Sequence, residues 1–453
     1  MTTTDLPPVE SSSPEPRPSI THQSVWAVST QGAIFLCGIA TSILVNRVLQ
    51  PDGRGQSALI MLWPPVLASL GAAGWANSIS WHASRASREA VRGIWSAALL
   101  AGSVLSLVLM AAGWGLIPLL LPGRREIWDS ARAYLPFIPL AVLQMVSASA
   151  LEGLGRFDRC ALLRLGNPLL LLACMVPLAW AGRLDPVTYA AASLIPVGAT
   201  ALLGVSLVRR HTAGSWRPRA SGLAPYALRA APLVWAGIVN VRIDQILLVG
   251  LLRLPERDFG LYVASTAVAG AILPAAAGLS QVLIPAGAGR SGGETADLVM
   301  RMARLFVLFS AALALPVALL APQVLALAFG ATFVPGAAFL RAALGVAIVS
   351  GLLTMELAAL QGLGRPGAAS VVCLVSAAAS TGLAVPALLA FGPLGALAAQ
   401  GAGSLLGLAL VRHVVRDAGW SWSGIVPRAG DIRGILDRLR PRVTSSQDRE
   451  GIP

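Results

Sequence analysis

Residues 94–121 read IWSAALLAGSVLSLVLMAAGWGLIPLLL, twenty-eight positions without an Asp, Glu, Arg or Lys. About 20 apolar residues in a helix cross a ~30 Å hydrocarbon core, so this stretch is long enough to span a bilayer. Eleven further stretches of similar character fall at 24–45, 57–80, 134–152, 161–182, 187–208, 230–252, 259–286, 303–321, 336–360, 368–390 and 393–412. They occupy more than half of the 453 residues, and the composition agrees: 55% is hydrophobic and only 12% charged. A soluble domain would carry about a quarter charged residues. Mean hydropathy, +0.71, points the same way. A soluble globular enzyme, a disordered chain and a secreted disulfide scaffold are excluded. An outer-membrane barrel is disfavoured because its strands alternate apolar and polar residues. The chain reads as an all-α polytopic membrane protein with about twelve transmembrane helices.

The net charge is +13, and all 34 basic residues are arginine. They sit in short loops between apolar spans, which is a topology signal rather than a nucleic-acid surface. Loops that follow even-numbered spans hold fifteen arginines, against eight in the opposite set. That bias puts the first set and both termini in the cytoplasm. Cys37, Cys160, Cys174 and Cys373 form no CxxC pair and read as small buried hydrophobes. The four histidines form no HExxH or HxxxH pair, so neither a metal nor a cofactor is expected. Residues 1–23 begin rich in Pro, Ser and Thr without an apolar core, and are expected to be a disordered cytoplasmic tail rather than a cleavable signal.

An internal repeat organises the spans. Leu151-Glu152-Gly153-Leu154-Gly155-Arg156 recurs 209 residues later as Leu360-Gln361-Gly362-Leu363-Gly364-Arg365, each copy closing the fourth span of its half. A weaker echo follows the first span of each half, Leu49 to Gly55 around Pro51 and Leu254 to Gly260 around Pro255. Six spans per repeat give both halves one orientation, the parallel-repeat plan of several secondary transporters. The expected domains are therefore a six-helix lobe over 24–208, a cytoplasmic linker over 209–229, a second six-helix lobe over 230–412 and a basic cytoplasmic tail over 413–453. In that tail Trp420 and Trp422 suit the headgroup level. Ile432, Ile435, Leu436 and Leu439 recur at helical spacing among arginines, which fits either an amphipathic helix on the inner leaflet or a solvated, frayed tail.

Ionisable groups inside a bilayer cost about 3 kcal/mol each on insertion scales, so each calls for a partner or a function. The seventh span carries Asn240-Val241-Arg242-Ile243-Asp244-Gln245, near the midplane if the helix starts around Ala230. Arg242 and Asp244 lie about 200° apart around the helix and do not face each other. Each then meets a group on another helix, or water in a cavity. Either Arg242 contacts an anionic substrate group while Asp244 holds or titrates in the pathway, or both are structural bridges. The first span places Gln31, Gly38, Ser42 and Asn46 near one face and ends in Arg47, as a polar lining or as packing and end capping. Trp63-Pro64-Pro65 predicts a kink in the second span, which ends in the polar run Asn77-Ser78-Ile79-Ser80. Glu152 and Glu356 lie toward the cytoplasmic side and read as snorkelling or capping groups, and Gly403 with Gly407 forms a GxxxG for close helix packing. No Ser-His-Asp set, P-loop or dinucleotide motif is present, so neither an enzyme nor an ATP-driven pump is expected.

The stretch Asn46-Arg47-Val48-Leu49-Gln50-Pro51-Asp52-Gly53-Arg54-Gly55 resembles the A/N-R-x-L-G-P-x-x-x-G segment of bacterial polysaccharide exporters, lipid-linked oligosaccharide flippases of the multidrug/oligosaccharidyl-lipid/polysaccharide superfamily. Arg242-Ile243-Asp244-Gln245 with Gly260-Leu261-Tyr262 resembles that family's r-x-D-x-x-x-L…G-x-Y segment. Phe329-Gly330 with Phe333, followed by Leu360 to Arg365, resembles its F-G-x-x-F…L-x-G-x-G-R segment. The resemblance implies two six-helix lobes around a central cavity that opens alternately to either side. It implies a polyprenyl-diphosphate-linked oligosaccharide as cargo, moved from the cytoplasmic to the periplasmic leaflet of the inner membrane for surface polysaccharide, including lipopolysaccharide, biosynthesis. The first, second, seventh and eighth spans would line the cavity, making Gln31, Asn46, Arg47, Asn77, Asn240, Arg242 and Asp244 the substrate-binding candidates. Expected partners are the lipid-linked glycan, membrane lipids and the polymerase and glycosyltransferases of the same pathway. No nucleic acid is expected, and the chain itself is expected to be a monomer. Two rivals stand beside this reading: a cation-coupled drug or metabolite antiporter of the same superfamily, and a membrane component or enzyme of a polysaccharide synthase.

Overall fold

A computed structural model of the chain describes residues 20–72, 74–218, 222–287, 292–363 and 365–416. Residues 1–19 of the expected N-terminal tail and the amphipathic tail helix beyond Arg416 lie outside these residues, whereas residues 20–23, expected to be disordered, belong to a helix that starts at Ile20. Among the described residues the structure is all helix and turn, with no strand. Eleven helical segments are long and apolar enough to cross a membrane. One of them, Gly32–Ala72, has 41 residues, about 60 Å of helix and twice the hydrocarbon thickness. It holds the first two spans, joined at Gln50, whose φ of 57° breaks helix α1 (Ile20–Ile60). The cause is local. Pro51 bars the preceding residue from helical geometry, so the helix ends at Gln50 and a new one starts on the proline. Twelve spans and eleven segments thus describe the same chain, a multi-pass membrane protein.

The chain packs as two compact units, one running to Ala264 and the other from Ser265. The first unit continues with α2 (Trp63–Ala72), α3 (Trp75–Ala83), α4 (Arg88–Leu120), α5 (Arg125–Ala133), α6 (Phe137–Gly153), α7 (Phe157–Trp180), α8 (Pro186–His211), α9 (Leu223–Gly250) and the start of α10 (Glu256–Ala269). Where a kink was expected at Trp63-Pro64-Pro65, the helix restarts instead. The turn lies at Met61–Leu62, and the prolines occupy the first turn of α2, where a missing amide donor costs nothing. Gly74, with φ 78°, separates α2 from α3.

Contacts between connections show that these helices run up and down. At one end, the Trp63 indole donates to the Leu120 carbonyl at 3.2 Å, Gly53 packs on Pro186, and Arg124 donates to the Leu254 carbonyl. The turns at Gln50, Leu121–Arg124, Ala181–Asp185 and Leu251–Pro255 therefore share that end. At the other, Gly153 packs on Ser80 and Ala83, Ser78 Oγ donates to the Leu223 carbonyl at 3.0 Å, and Arg92 donates to the Arg209 carbonyl at 2.8 Å. Arg92 also bonds the Thr212 and Gly214 carbonyls, so one guanidinium ties the linker to the start of α4. The core between these ends is apolar, with Trp95, Ile138, Val146 and Leu163 fully buried. Leu100, Val104, Leu107 and Val108 of α4 are exposed, the face a helix turns to lipid.

The second unit holds the end of α10, then α11 (Leu273–Gly287), α12 (Gly292–Leu319), α13 (Ala321–Phe329), α14 (Ala337–Gly362), α15 (Pro366–Phe391) and α16 (Pro393–Val414). α14 is its centre, packed against α11, α12 and α16. The GxxxG glycines set how closely α16 approaches. A Cβ on Gly403 would overlap Ser380 of α15, and one on Gly407 would lie 2.8 Å from Leu353 of α14.

Candidate functional site

The polar groups singled out in the seventh span do not sit at mid-helix. α9 has 28 residues and begins at Leu223, seven residues before the expected start, so its middle falls near Ala236 and Gly237. Asp244 lies about 9 Å from the Gly250 end. That is the end where the Gln50 and Leu251–Pro255 turns meet. The cluster expected at the middle of the helix therefore lies near one end of it.

Asp244 is 5% exposed, and its Oδ2 accepts a 2.5 Å hydrogen bond from the hydroxyl of fully buried Tyr262 on α10. Its other oxygen, Oδ1, has no hydrogen-bond partner. A buried carboxylate in a membrane helix with half its acceptor capacity unused is costly to hold there. Arg242 takes a different direction, as its position around the helix requires, and donates to Gln245 Oε1 at 2.9 Å. Asp244 and, as a like charge and more weakly, Arg54 at the start of the second span lie close enough to act electrostatically on Arg242, and the buried Nε of Arg54 has no hydrogen-bond partner among the described residues. Among the described residues neither guanidinium forms an ion pair with a carboxylate. Chemically, a guanidinium can form paired hydrogen bonds with phosphate or carboxylate oxygens.

The remaining candidates divide. Asn46 is fully buried, donates to Ser42 Oγ at 3.0 Å one turn back on α1, and leaves its Oδ1 without a partner. Asn240 is half-buried on the same face of α9 as Asp244. Arg47 is exposed, and its carbonyl receives Gln50 Nε2 at 2.7 Å. Asn77 is exposed on α3, less than one turn beyond the Gly74 break, and no described contact links it to the arginine pair. The side chain of Gln31 lies outside the described residues.

Sequence reasoning gave Arg54 and Tyr262 no role of their own. Tyr262 was visible as the aromatic of the Gly-x-Tyr segment, whereas Arg54 looked like one more loop arginine. Glu356 also needs correction. It is neither snorkelling nor capping: it is fully buried in α14 and gripped at 2.5 and 2.6 Å by both Nη atoms of Arg412 on α16. Glu152 does lie near a helix end, where it pairs with Arg164 and accepts from Cys160 Sγ at 3.3 Å.

No protein-family model matches the chain, and no curated protein matches its sequence. Solved structures do. The chain resembles an inward-closed conformation of the Lipid II flippase MurJ at a TM-score of 0.71 and 12% identity, covering 87% of each chain. It resembles an inward-facing MATE multidrug transporter of the MOP superfamily at 0.67 and 17%, covering 88% of this chain and 99% of that one. An outward-facing structure of such a transporter matches at 0.65 and 18%, with coverage of 88% and 96%. The chain therefore has the fold of MOP-superfamily flippases and transporters along nearly its whole length.

Proposed function

We propose that this protein is a flippase that carries a polyprenyl-diphosphate-linked oligosaccharide from the cytoplasmic to the periplasmic leaflet of a bacterial inner membrane, by alternating access, for surface polysaccharide biosynthesis. The observation that carries this reading is that Arg54 and Arg242, on separate spans, lie near enough to act on each other as like charges, and neither forms a carboxylate salt bridge among the described residues. A diphosphate offers such a pair oxygens on adjacent phosphates, and its sugar and polyprenyl ends place no demand on charge. The likeness to a Lipid II flippase supports the same class of cargo. The arginine bias of the even-to-odd loops supports cytoplasmic termini. On this reading Arg242 and Arg54 hold the diphosphate, Asn46, Asn240 and Asn77 offer polar contacts, and the polyprenyl tail stays in lipid. The protein works as a monomer beside the polymerase and glycosyltransferases of its pathway.

One observation favours cation-coupled antiport instead. Asp244 and Glu356 are the buried carboxylates among the described residues. Glu356 is saturated by Arg412, but Asp244 keeps a free oxygen that a cation would satisfy. Leaflet-resolved labelling of lipid-linked glycan separates the two. Cells depleted of the protein accumulate cargo on the cytoplasmic leaflet under the flippase reading, wild type restores export, and Arg242→Ala expressed at the same level does not. Normal arrival of glycan at the periplasmic face in depleted cells refutes it, and cation-dependent drug efflux then becomes the reading to test.

A further inference from the structure

Gly55 and Gly260 close the two echoes of the sequence, 205 residues apart. In the structure each is pressed against the other's echo. A Cβ on Gly55 would overlap the Glu256 carbonyl, and a Cβ on Gly260 would overlap the Pro51 carbonyl and stand 2.8 Å from the Gly55 nitrogen. Under the same 205-residue offset Pro51 corresponds to Glu256, so the contact is reciprocal: each glycine meets the carbonyl four residues ahead of its counterpart. Two helices from different repeats thus cross backbone to backbone at their first turns. Over the crossing lies Arg124, from the turn between α4 and α5. It donates to the Leu254 carbonyl and pairs with Glu256 at 3.4 Å, with side chains 13% and 27% exposed.

The opposite end of the same unit is also closed between repeats. Gly74 packs on the Ala227 carbonyl, and Trp81 stacks on Tyr226 with ring centroids 5.3 Å apart. A carrier that loads from one side and unloads to the other must part such contacts in turn. The glycine crossing suits parting. It interlocks no large side chains, and its ion pair is reachable by water, which takes over both charges when the pair separates.

We propose that the crossing of Pro51–Gly55 with Glu256–Gly260 is the outward gate of this carrier and that Arg124 is its latch. The inference rests on the transport reading above for its purpose, but its test needs no cargo. Ala264 is fully buried one helical turn inside Gly260 on the same face, so Ala264→Cys in a background lacking the four native cysteines reports on the gate. The rate of modification by a charged, membrane-impermeant thiosulfonate is measured in right-side-out and inside-out vesicles. Gly55→Ala and Gly260→Ala are expected to raise that rate about tenfold, the population shift of a gate that no longer closes fully, in right-side-out vesicles alone. Arg124→Gln, which leaves the glycine contact intact, is expected to raise it about two- to fivefold. Gly237→Ala, which adds a methyl where nothing lies within 4 Å, is expected to change nothing.

Should a glycine variant fail to fold, as judged by size-exclusion elution, Arg124→Gln carries the test alone. Unchanged modification in Arg124→Gln and in every folded glycine variant overturns the gate, and a rise confined to inside-out vesicles overturns its outward assignment. Raised modification in a protein that never moves lipid-linked glycan would leave the gate standing and remove the cargo reading. Glycan transport with unmoved modification rates would do the reverse.

Discussion

Removing one partner of the Glu356–Arg412 pair should expose how the second unit is held together. The pair joins α14 to the last span of that unit, α16, with Glu356 fully buried and Arg412 5% exposed. Both carboxylate oxygens are engaged, at 2.5 and 2.6 Å, and Arg412 Nη1 also reaches the Leu408 carbonyl at 3.4 Å. Glu356→Gln would leave a buried guanidinium without its counter-charge, and Arg412→Met a buried carboxylate without its donors. Breaking a buried pair from one side costs about 3–5 kcal/mol, because the charge left behind has already given up its hydration. Replacing both partners removes the stranded charge as well, so Glu356→Met with Arg412→Met should return to within about 1 kcal/mol of wild type or exceed it. Equilibrium unfolding in mixed detergent micelles, followed by tryptophan fluorescence across the four proteins, measures the cycle. If the double variant loses the sum of the two single losses, the charges are not coupled. If neither single variant loses more than about 1 kcal/mol, water already solvates them; either result refutes the argument.

Three further outcomes follow from local geometry. Tyr262→Phe takes from Asp244 the hydroxyl it receives at 2.5 Å and should cost about 1–3 kcal/mol in the same unfolding assay. Combining it with Asp244→Asn should recover part of that loss, and no recovery would mean that the tyrosine acts by packing alone. Asp185 caps α8, accepting from the Val187 and Thr188 amides at 2.9 and 2.8 Å, so Asp185→Ala should cost about 0.5–1 kcal/mol. The Thr188 amide foremost holds this carboxyl below its ordinary value. Its contribution is therefore complete above pH about 3.9 and lost as the pH falls further, and the difference between wild type and Asp185→Asn should shrink over that acid range alone. Gly403→Ala would push a methyl into Ser380 and the Ser376 carbonyl of α15, and should cost about 1–3 kcal/mol, measurable as an earlier unfolding midpoint.

The number, length and order of the spans were legible because each is a run of apolar residues that only a bilayer-crossing helix satisfies. Helix ends are imposed by particular residues, as by Pro51 at Gln50 and by Asp185 at Pro186, but the apolar runs alone did not mark them. The start of α9 was not legible either, since Leu223 to Arg229 mix polar and apolar residues and still continue the helix. That misplacement put Asp244 at mid-helix when it lies near an end. Partners across helices were illegible for a different reason. Glu356 and Arg412 are 56 residues apart, and nothing in either local sequence names the other. A lone charge near a span end looks the same whether it snorkels to water or meets an opposite charge on a neighbouring helix.

The repeat clarifies what these pairings accomplish. Counting back 209 residues from Glu356, by the offset of the Leu-x-Gly-Leu-Gly-Arg copies, gives Ser147 of α6. Ser147 is fully buried and meets Gly204 of α8, where an added Cβ would stand 2.9 Å from its own. The fourth and sixth spans of the first repeat are thus joined by two small residues in close contact. The corresponding spans of the second repeat, α14 and α16, are joined by an ion pair as well as by Gly407 against Leu353. Steric closeness alone suffices in the first case, so the buried charges of the second are not required by the fold. Both oxygens of Glu356 are engaged by Arg412, whereas Asp244, near the end of its span, leaves Oδ1 without a hydrogen bond.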